Sequence, residues 1–335
     1  MKLQYVVILG TGGTIAGSAG SGCDNIGYTA ARLGIEQLLQ SVPAISHRGA
    51  LIAEQVMQVD SKDMSFAAWA LLAGRVNHFL AREDVQGIVI THGTDTLEET
   101  AYFLHSVCRP AKPVVLTCAM RPATALLSDG PQNLMDSVAV ARQEGATGVV
   151  VVCAGTVHSA SDVQKVHPYK LDAFDSGDAG PIAHIEEGCL RILRNWPVTQ
   201  HGQASPAIET VAEWPRVEIV MSYAGATGSM VEALVAQGVK GLVVACTGNG
   251  TIHHALLTAL LKAQKAGVKV LRATRCVNGR VLAMPGDVIP DSNGLNPLKA
   301  RLALMLELMH QQAVEAQESP LKRPSKLTAL EGKNV

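Results

Sequence analysis

Apolar and polar positions follow two periods along the chain. Short runs rich in β-branched residues occur at 4–9 (QYVVIL), 54–59, 87–91, 113–117, 148–153, 217–222, 240–246 and 268–274. They are almost continuously apolar, the pattern of strands covered on both faces. Between them apolar positions recur at helical spacing over about 30–40, 64–81, 96–107, 131–143, 228–238, 252–266 and 297–316. Asn296 as cap and Pro297 at the first turn mark the start of the last helix. This alternation predicts βαβ units, hence an α/β fold with a doubly wound, mostly parallel sheet. Both periods fade between about 190 and 216, where three prolines fall. We therefore expect an N-terminal α/β unit over 1–190, a linker over 191–216, a smaller C-terminal α/β unit over 217–317 and a flexible tail over 318–335.

Composition narrows the function classes. The 335 residues carry 28 Lys+Arg against 29 Asp+Glu, a net charge of −1. A protein that binds nucleic acid by releasing counterions needs a basic face or excess, so no nucleic-acid partner is expected. With 47% apolar but 4% aromatic residues, Ala, Val, Leu and Ile must build most of the core. The seven cysteines (23, 108, 118, 153, 189, 246, 276) form no CxxC pair and are odd in number, which predicts reduced thiols. His253–His254 is the one adjacent histidine pair, with no HExxH motif, so no metal is expected. The apolar stretch Leu3–Leu9 behind Lys2 runs straight into Gly10-Thr-Gly-Gly and reads as a first strand, not a signal peptide. No run reaches the ~18 apolar residues of a membrane span. The expected address is the cytoplasm, with no membrane partner.

Polar residues gather where the strands end. The first strand leads into Thr11-Gly-Gly-Thr14, the second into Asp60-Ser-Lys-Asp63, and the third into His92-Gly-Thr-Asp-Thr96. The strand at 113–117 leads through Cys118-Ala119 into Met120-Arg121, and the one at 148–153 into Gly155-Thr-Val-His-Ser159. Open parallel sheets bind ligands beyond the carboxyl ends of their strands, so this end is the expected site. The turn GTGGTIAG places Ile15 where a dinucleotide fingerprint needs its third glycine, which argues against a nicotinamide-dependent dehydrogenase. It leaves a tight turn with the Thr11 and Thr14 hydroxyls exposed beside it. Thr96 and Glu99 read as a capping box opening a helix, which leaves Thr94 and Asp95 without a capping role. His92 reads as a packed structural histidine. A threonine hydroxyl becomes a nucleophile only when a base takes its proton. Lys165, Asp95, Tyr28 and several histidines are the bases near strand ends, and an ordinary loop lysine competes with a catalytic reading of Lys165.

At these residues the chain resembles the bacterial-type L-asparaginase family. ILGTGGTIAG at 8–17 and GIVITHGTDTLEETAYFL at 87–104 match its two signatures, joined in order by YTAARLGIEQLL, VDSKDM, AMRPATALLSDGPQNL, SASDVQKVHPYKLDAF, CTGNG and GLNPLKARL. The resemblance implies a flavodoxin-like N-terminal domain, a smaller C-terminal one, assembly into dimers or tetramers, and no metal or cofactor. It implies Thr14 as nucleophile, Tyr28 on a mobile loop as its activator, and Thr94, Asp95 and Lys165 as a second triad serving proton transfer. Ser61 and Asp95 would hold the α-carboxylate and α-ammonium of a small amino-acid substrate, and the Ala119 carbonyl its amide. The glycine-rich segment 17–27 would be the hinge of a lid carrying Tyr28. The expected reaction is hydrolysis of L-asparagine to aspartate and ammonia, with some glutaminase activity. Three departures stand out: Lys62 where many members have glutamine, Thr251 in place of an asparagine, and Asp287 or Asp291 where secreted members supply a glutamate. Two alternatives share the same core: the subunit of a tRNA-dependent amidotransferase, and a non-catalytic amino-acid-binding protein. The first normally carries a domain ahead of the TGGT strand, and the second would have lost its nucleophile or base.

Overall fold

In the computed structural model, which describes residues 3–197, 208 and 213–318, strand β1 (Tyr5–Gly12) lies between β2 (Leu51–Val59) and β3 (Val85–Thr91). Beyond β3 come β4 (Val114–Thr117) and β5 (Val149–Cys153), all parallel. The order β2-β1-β3-β4-β5 is the flavodoxin-like one, whose chain reversal opens a crevice between β1 and β3. The sheet is mixed, because β6 (Thr156–Ser159), β9 (Ala183–Glu186) and β10 (Cys189–Ile192) extend it antiparallel to eight strands. A separate ribbon pairs β7 (Gln164–Lys165) with β8 (Phe174–Asp175).

The near-continuous apolar runs are explained by the two faces. Val7 and Leu9 of β1 point into a cluster with Trp69, Leu72 and Val76 of α2 (Phe66–Leu80) and Leu97, Phe103 and Leu104 of α3 (Leu97–Cys108). Val6 and Ile8 point the other way, against Ile35 and Leu38 of α1 (Ile35–Gln40) and Leu134 and Val138 of α4 (Gly130–Arg142). All four β1 residues are fully buried, so a polar replacement on either side would lose its water without gaining a partner.

A second parallel sheet, β11 (Val217–Met221), β12 (Gly241–Cys246) and β13 (Lys269–Thr274), follows in that order. Helices α5 (Ser229–Ala236) and α6 (His254–Lys265) cover one face through Val231, Leu234, Leu256 and Leu260. Its other face meets α7 (Pro297–Glu318), whose Leu302 and Met305 belong to the same apolar cluster as Phe103. One continuous core therefore runs from the first sheet through α7 to the second. Asn296 caps α7 as the sequence suggests, its Oδ1 accepting the Lys299 N–H at 2.9 Å.

Three expectations change. The capping box at Thr96 is not formed: the Thr96 hydroxyl donates to the Ser61 carbonyl at 2.8 Å instead of capping α3. The Thr11 hydroxyl is not exposed, but buried and donating to the Thr91 carbonyl at 2.8 Å; Thr14 too is buried, at 7% exposure. Five strands between 156 and 192 were not anticipated, because each has two to four residues, too few for a period to show. Part of the expected linker, and all of the expected tail beyond Glu318, lie outside the described residues.

Candidate active site

The crevice forms where three strand-end turns touch. Gly12 (φ 108°) and Gly13 (φ 80°) turn the chain out of β1 in a conformation that disfavours side chains. A Cβ on Gly13 would lie 2.2 Å from the Gly93 Cα, and one on Gly93 would lie 2.4 Å from the Ser61 Oγ. The turns after β1 and β3 thus meet backbone to backbone, and the Ser61 side chain of the β2 turn packs on Gly93, at a spacing only glycine permits.

On this frame the polar residues meet in pairs. The Thr14 Oγ1 and the Tyr28 hydroxyl share a hydrogen bond of 2.7 Å. Lys165 Nζ, on β7, donates to Thr94 Oγ1 at 2.9 Å and to Asp95 Oδ1 at 2.7 Å. Ser61, 2% exposed, accepts the Asp95 backbone N–H at 3.2 Å. Ala119, fully buried, sits in a turn held by Asp129, whose two oxygens accept the N–H groups of Met120 and Arg121 at 2.9 Å. Asn133 braces the same turn, donating to the Cys118 carbonyl at 2.9 Å while its own oxygen accepts from the Ala154 N–H at 3.0 Å. Neither Asp129 nor Asn133 emerges from the sequence reading; the one signal was an acid directly before Gly-Pro at a helix start.

The segment 18–29 closes over Thr14. A two-way backbone bridge joins Ser18 and Thr29, the Ala19 N–H donates to Thr124 Oγ1 at 2.8 Å, and the Leu126 N–H donates to the Gly22 carbonyl at 2.9 Å. Behind the crevice, His92 is fully buried. Its Nε2 lies 3.0 Å from Thr100 Oγ1, which accepts the Trp69 indole N–H at 2.9 Å, so the threonine proton points to the imidazole. Nδ1 then carries the ring proton and donates to the Gly93 carbonyl at 2.7 Å. Burial pushes His92 down from 6.5 to about 4, which keeps it neutral. It braces the Gly93 turn, a structural role.

The departures have local explanations. Lys62 is 60% exposed and pairs with Asp60 at 2.6 Å and Asp63 at 3.2 Å on its own turn. Thr251 Oγ1 is 2.8 Å from Thr247 Oγ1 and closes the 247–251 turn. Asp287 is paired with Arg272 and accepts the Met284 N–H at 2.7 Å, while Asp291 accepts the Asn293 N–H at 2.8 Å. Within one chain neither acid's hydrogen bonds go to Tyr28. Among the described residues there is no cluster of three or more metal-ligating side chains, and no helix is long and apolar enough to cross a membrane.

Two hydroxyls that share a hydrogen bond, those of Thr14 and Tyr28, thus stand at the switch point of the sheet. Comparison with known proteins gives this arrangement a family. Residues 5–198 match the asparaginase N-terminal family model, and 216–319 match the glutaminase/asparaginase C-terminal domain. The chain is 39% identical over 321 residues to the glutaminase-asparaginase of Pseudomonas fluorescens biotype A, covering 93% of this chain and 88% of that one. It is 38% identical to the probable periplasmic L-asparaginase of Haemophilus influenzae, covering 91% and 89%. The crystal structure of a probable cytoplasmic L-asparaginase from Campylobacter jejuni superposes with a TM-score of 0.86 at 38% identity, covering 91% of this chain and 95% of that one. The chain belongs to the asparaginase family.

Proposed function

We propose that the protein hydrolyses the side-chain amide of L-asparagine to L-aspartate and ammonia, and that of L-glutamine as a second substrate, through a threonyl acyl-enzyme. The observation that carries the reading is the convergence of two hydroxyl pairs, Thr14–Tyr28 and Thr94–Lys165, on turns whose backbones touch.

In this mechanism Thr14 Oγ1 attacks the amide carbon while its proton leaves along the 2.7 Å bond to Tyr28. The C–N bond breaks as the Tyr28 hydroxyl, having taken up the Thr14 proton, passes its own proton to the departing nitrogen, and ammonia leaves. A water oriented by the Thr94–Lys165 pair then attacks the ester carbon, and as the acyl C–O bond breaks its proton is relayed to the Thr14 oxygen, which restores the hydroxyl. The family resemblance assigns the developing oxyanion to backbone N–H groups near Thr14 and Thr94; such donors are typically worth ~3–4 kcal/mol each. Ser61 and Asp95 hold the amino-acid head and Ala119 the amide, so specificity lies in where the head is fixed. The domain division at 191–216 belongs to the same reading. So does self-association to a dimer or tetramer, supported by the exposed apolar side chains of Ile26, Leu126, Leu127, Met221 and Met230. A cytoplasmic address is supported by the named location of the Campylobacter jejuni structure and by seven free cysteines.

Ammonia release measured with asparagine, glutamine and their D-enantiomers tests the proposal. Thr14→Ala and Lys165→Met should each remove nearly all turnover with an unchanged circular-dichroism spectrum. Near-normal turnover in Thr14→Ala would overturn the nucleophile assignment, and binding without turnover in the parent would favour the amino-acid-binding alternative.

A further inference from the structure

One buried charge is not used by the mechanism above. Lys299, in the first turn of α7, is 1% exposed, yet its Nζ ends among backbone carbonyls, donating to those of Ser161 (2.9 Å) and Val163. These residues lead directly into Lys165. The lysine itself sits on β7, a two-residue strand outside both main sheets, so it has little ladder to hold it. On the opposite side lies Glu98, 7% exposed in the first turn of α3, three residues beyond Asp95. Its carboxyl group accepts the Asn296 Nδ2 (3.2 Å), and the Lys165 backbone N–H lies close enough to favour its charged form. Asn296 in turn accepts the Lys299 N–H.

We infer that Glu98 and Lys299 are positioning residues for Lys165, holding its backbone to the segment that presents Thr94 and Asp95 so that Nζ reaches both. Lys165 is thereby tied to Thr94 and Asp95 by Nζ, while its backbone lies beside the Glu98 carboxyl group on the same helix start. Lys299 fixes the approach from the other side and supplies the charge that a buried Glu98 needs. Docking α7 alone would be served by an apolar side chain, since burying an ammonium costs several kcal/mol before its partners offset it. The strain shows in both groups. Burial pulls Lys299 down to about 8, against the opposing charges of Glu98 and Asp162. Burial pushes the Glu98 carboxyl up, opposed by Lys299, Asn296 and Lys165. The inference rests on the reading that Lys165 serves proton transfer.

Lys299→Met should lower kcat for asparagine at least ~10-fold with KM within about twofold, because ångström-scale misplacement of a reacting group reaches ~10²-fold in rate. A merely structural role would lower the unfolding midpoint and leave kcat per folded enzyme unchanged. In a Lys165→Met background the same substitution should cause no further loss of residual rate, since both act through one group. Should Lys299→Met fail to fold, Glu98→Gln keeps the shape and removes only the charge, and the same kcat-selective loss, of about threefold or more, is expected. Folded Lys299→Met and Glu98→Gln enzymes with parental kcat, beside an inactive Lys165→Met, would overturn the positioning role alone. A fully active Lys165→Met would overturn the catalytic reading itself.

Discussion

Replacing Gly93 by alanine tests whether the stacked turns are as rigid as their spacing implies. The new Cβ would sit 2.4 Å from the Ser61 Oγ, 2.7 Å from the Ser61 Cβ and 3.0 Å from the Gly13 Cα. Rotating the serine hydroxyl relieves the first contact and not the second, so the turn after β2 must retreat by something like 1 Å. Two costs follow. Overpacking of this kind removes ~1–3 kcal/mol of stability. The Asp95 N–H, which Ser61 accepts at 3.2 Å, is strained or lost, a further ~1–3 kcal/mol. Urea denaturation should therefore show a loss of ~2–4 kcal/mol. Because Ser61 and Asp95 are the proposed head-group contacts, kcat/KM for asparagine should fall by about 10²-fold, or ~2.7 kcal/mol, mainly through KM. Steady-state ammonia release at 25 °C, well below the midpoint, separates the two losses. A Gly93→Ala enzyme with kcat/KM within about threefold of the parent would refute the rigid apposition, because displacement on this scale costs far more.

His92 and His158, both pushed from 6.5 to about 4 by burial, stay neutral when folded and take up protons on unfolding. Their contribution is complete above pH 6.5 and is lost as pH falls towards 4, up to ~3 kcal/mol each; urea midpoints flat between pH 6.5 and 4.5 would contradict this. Thr100→Val leaves the Trp69 indole N–H and the His92 Nε2 without their partner and should cost ~2–4 kcal/mol in urea melts, with activity lost only as the fold is lost. Asp129→Ala frees the N–H groups of Met120 and Arg121 and should lower kcat/KM by ~10-fold or more through the Ala119 turn, read by ammonia release. Lys62→Gln should leave KM for asparagine within about twofold, since its ion pairs lie on an exposed turn.

The buried strands were legible because β1, β3, β4 and β5 are covered on both sides and so read as unbroken apolar runs. The antiparallel additions were not, because pieces such as Cys189–Ile192, four residues long and mostly exposed, are too short to show a period. Thr96 shows a different limit. Its spacing to Glu99 is that of a capping box, but a long-range acceptor, the Ser61 carbonyl, takes its hydroxyl. Local sequence cannot reveal such a competitor. Asp129, Asn133, Glu98 and Lys299 were missed for one reason: each acts on backbone groups, whose need for a partner becomes visible only once the chain is folded. The proposed reacting side chains were easier to find, since hydroxyls, an acid and a lysine gather at the strand ends, while their roles came from the family resemblance.

The span from Lys165 to Lys299 also bears on how the chain is made. A ribosome releases the N-terminal sheet first, and at ~5–20 residues per second the 134 residues from Lys165 to Lys299 take roughly 7–27 s to appear. Until α7 emerges, the Ser161 and Val163 carbonyls have no ammonium to receive, and the apolar cluster containing Phe103 lacks Leu302 and Met305. The nascent first domain can assemble its sheet while its lysine is still unclamped. On the proposed role of Lys299, the alignment of Lys165 then waits on α7, and with it the full rate.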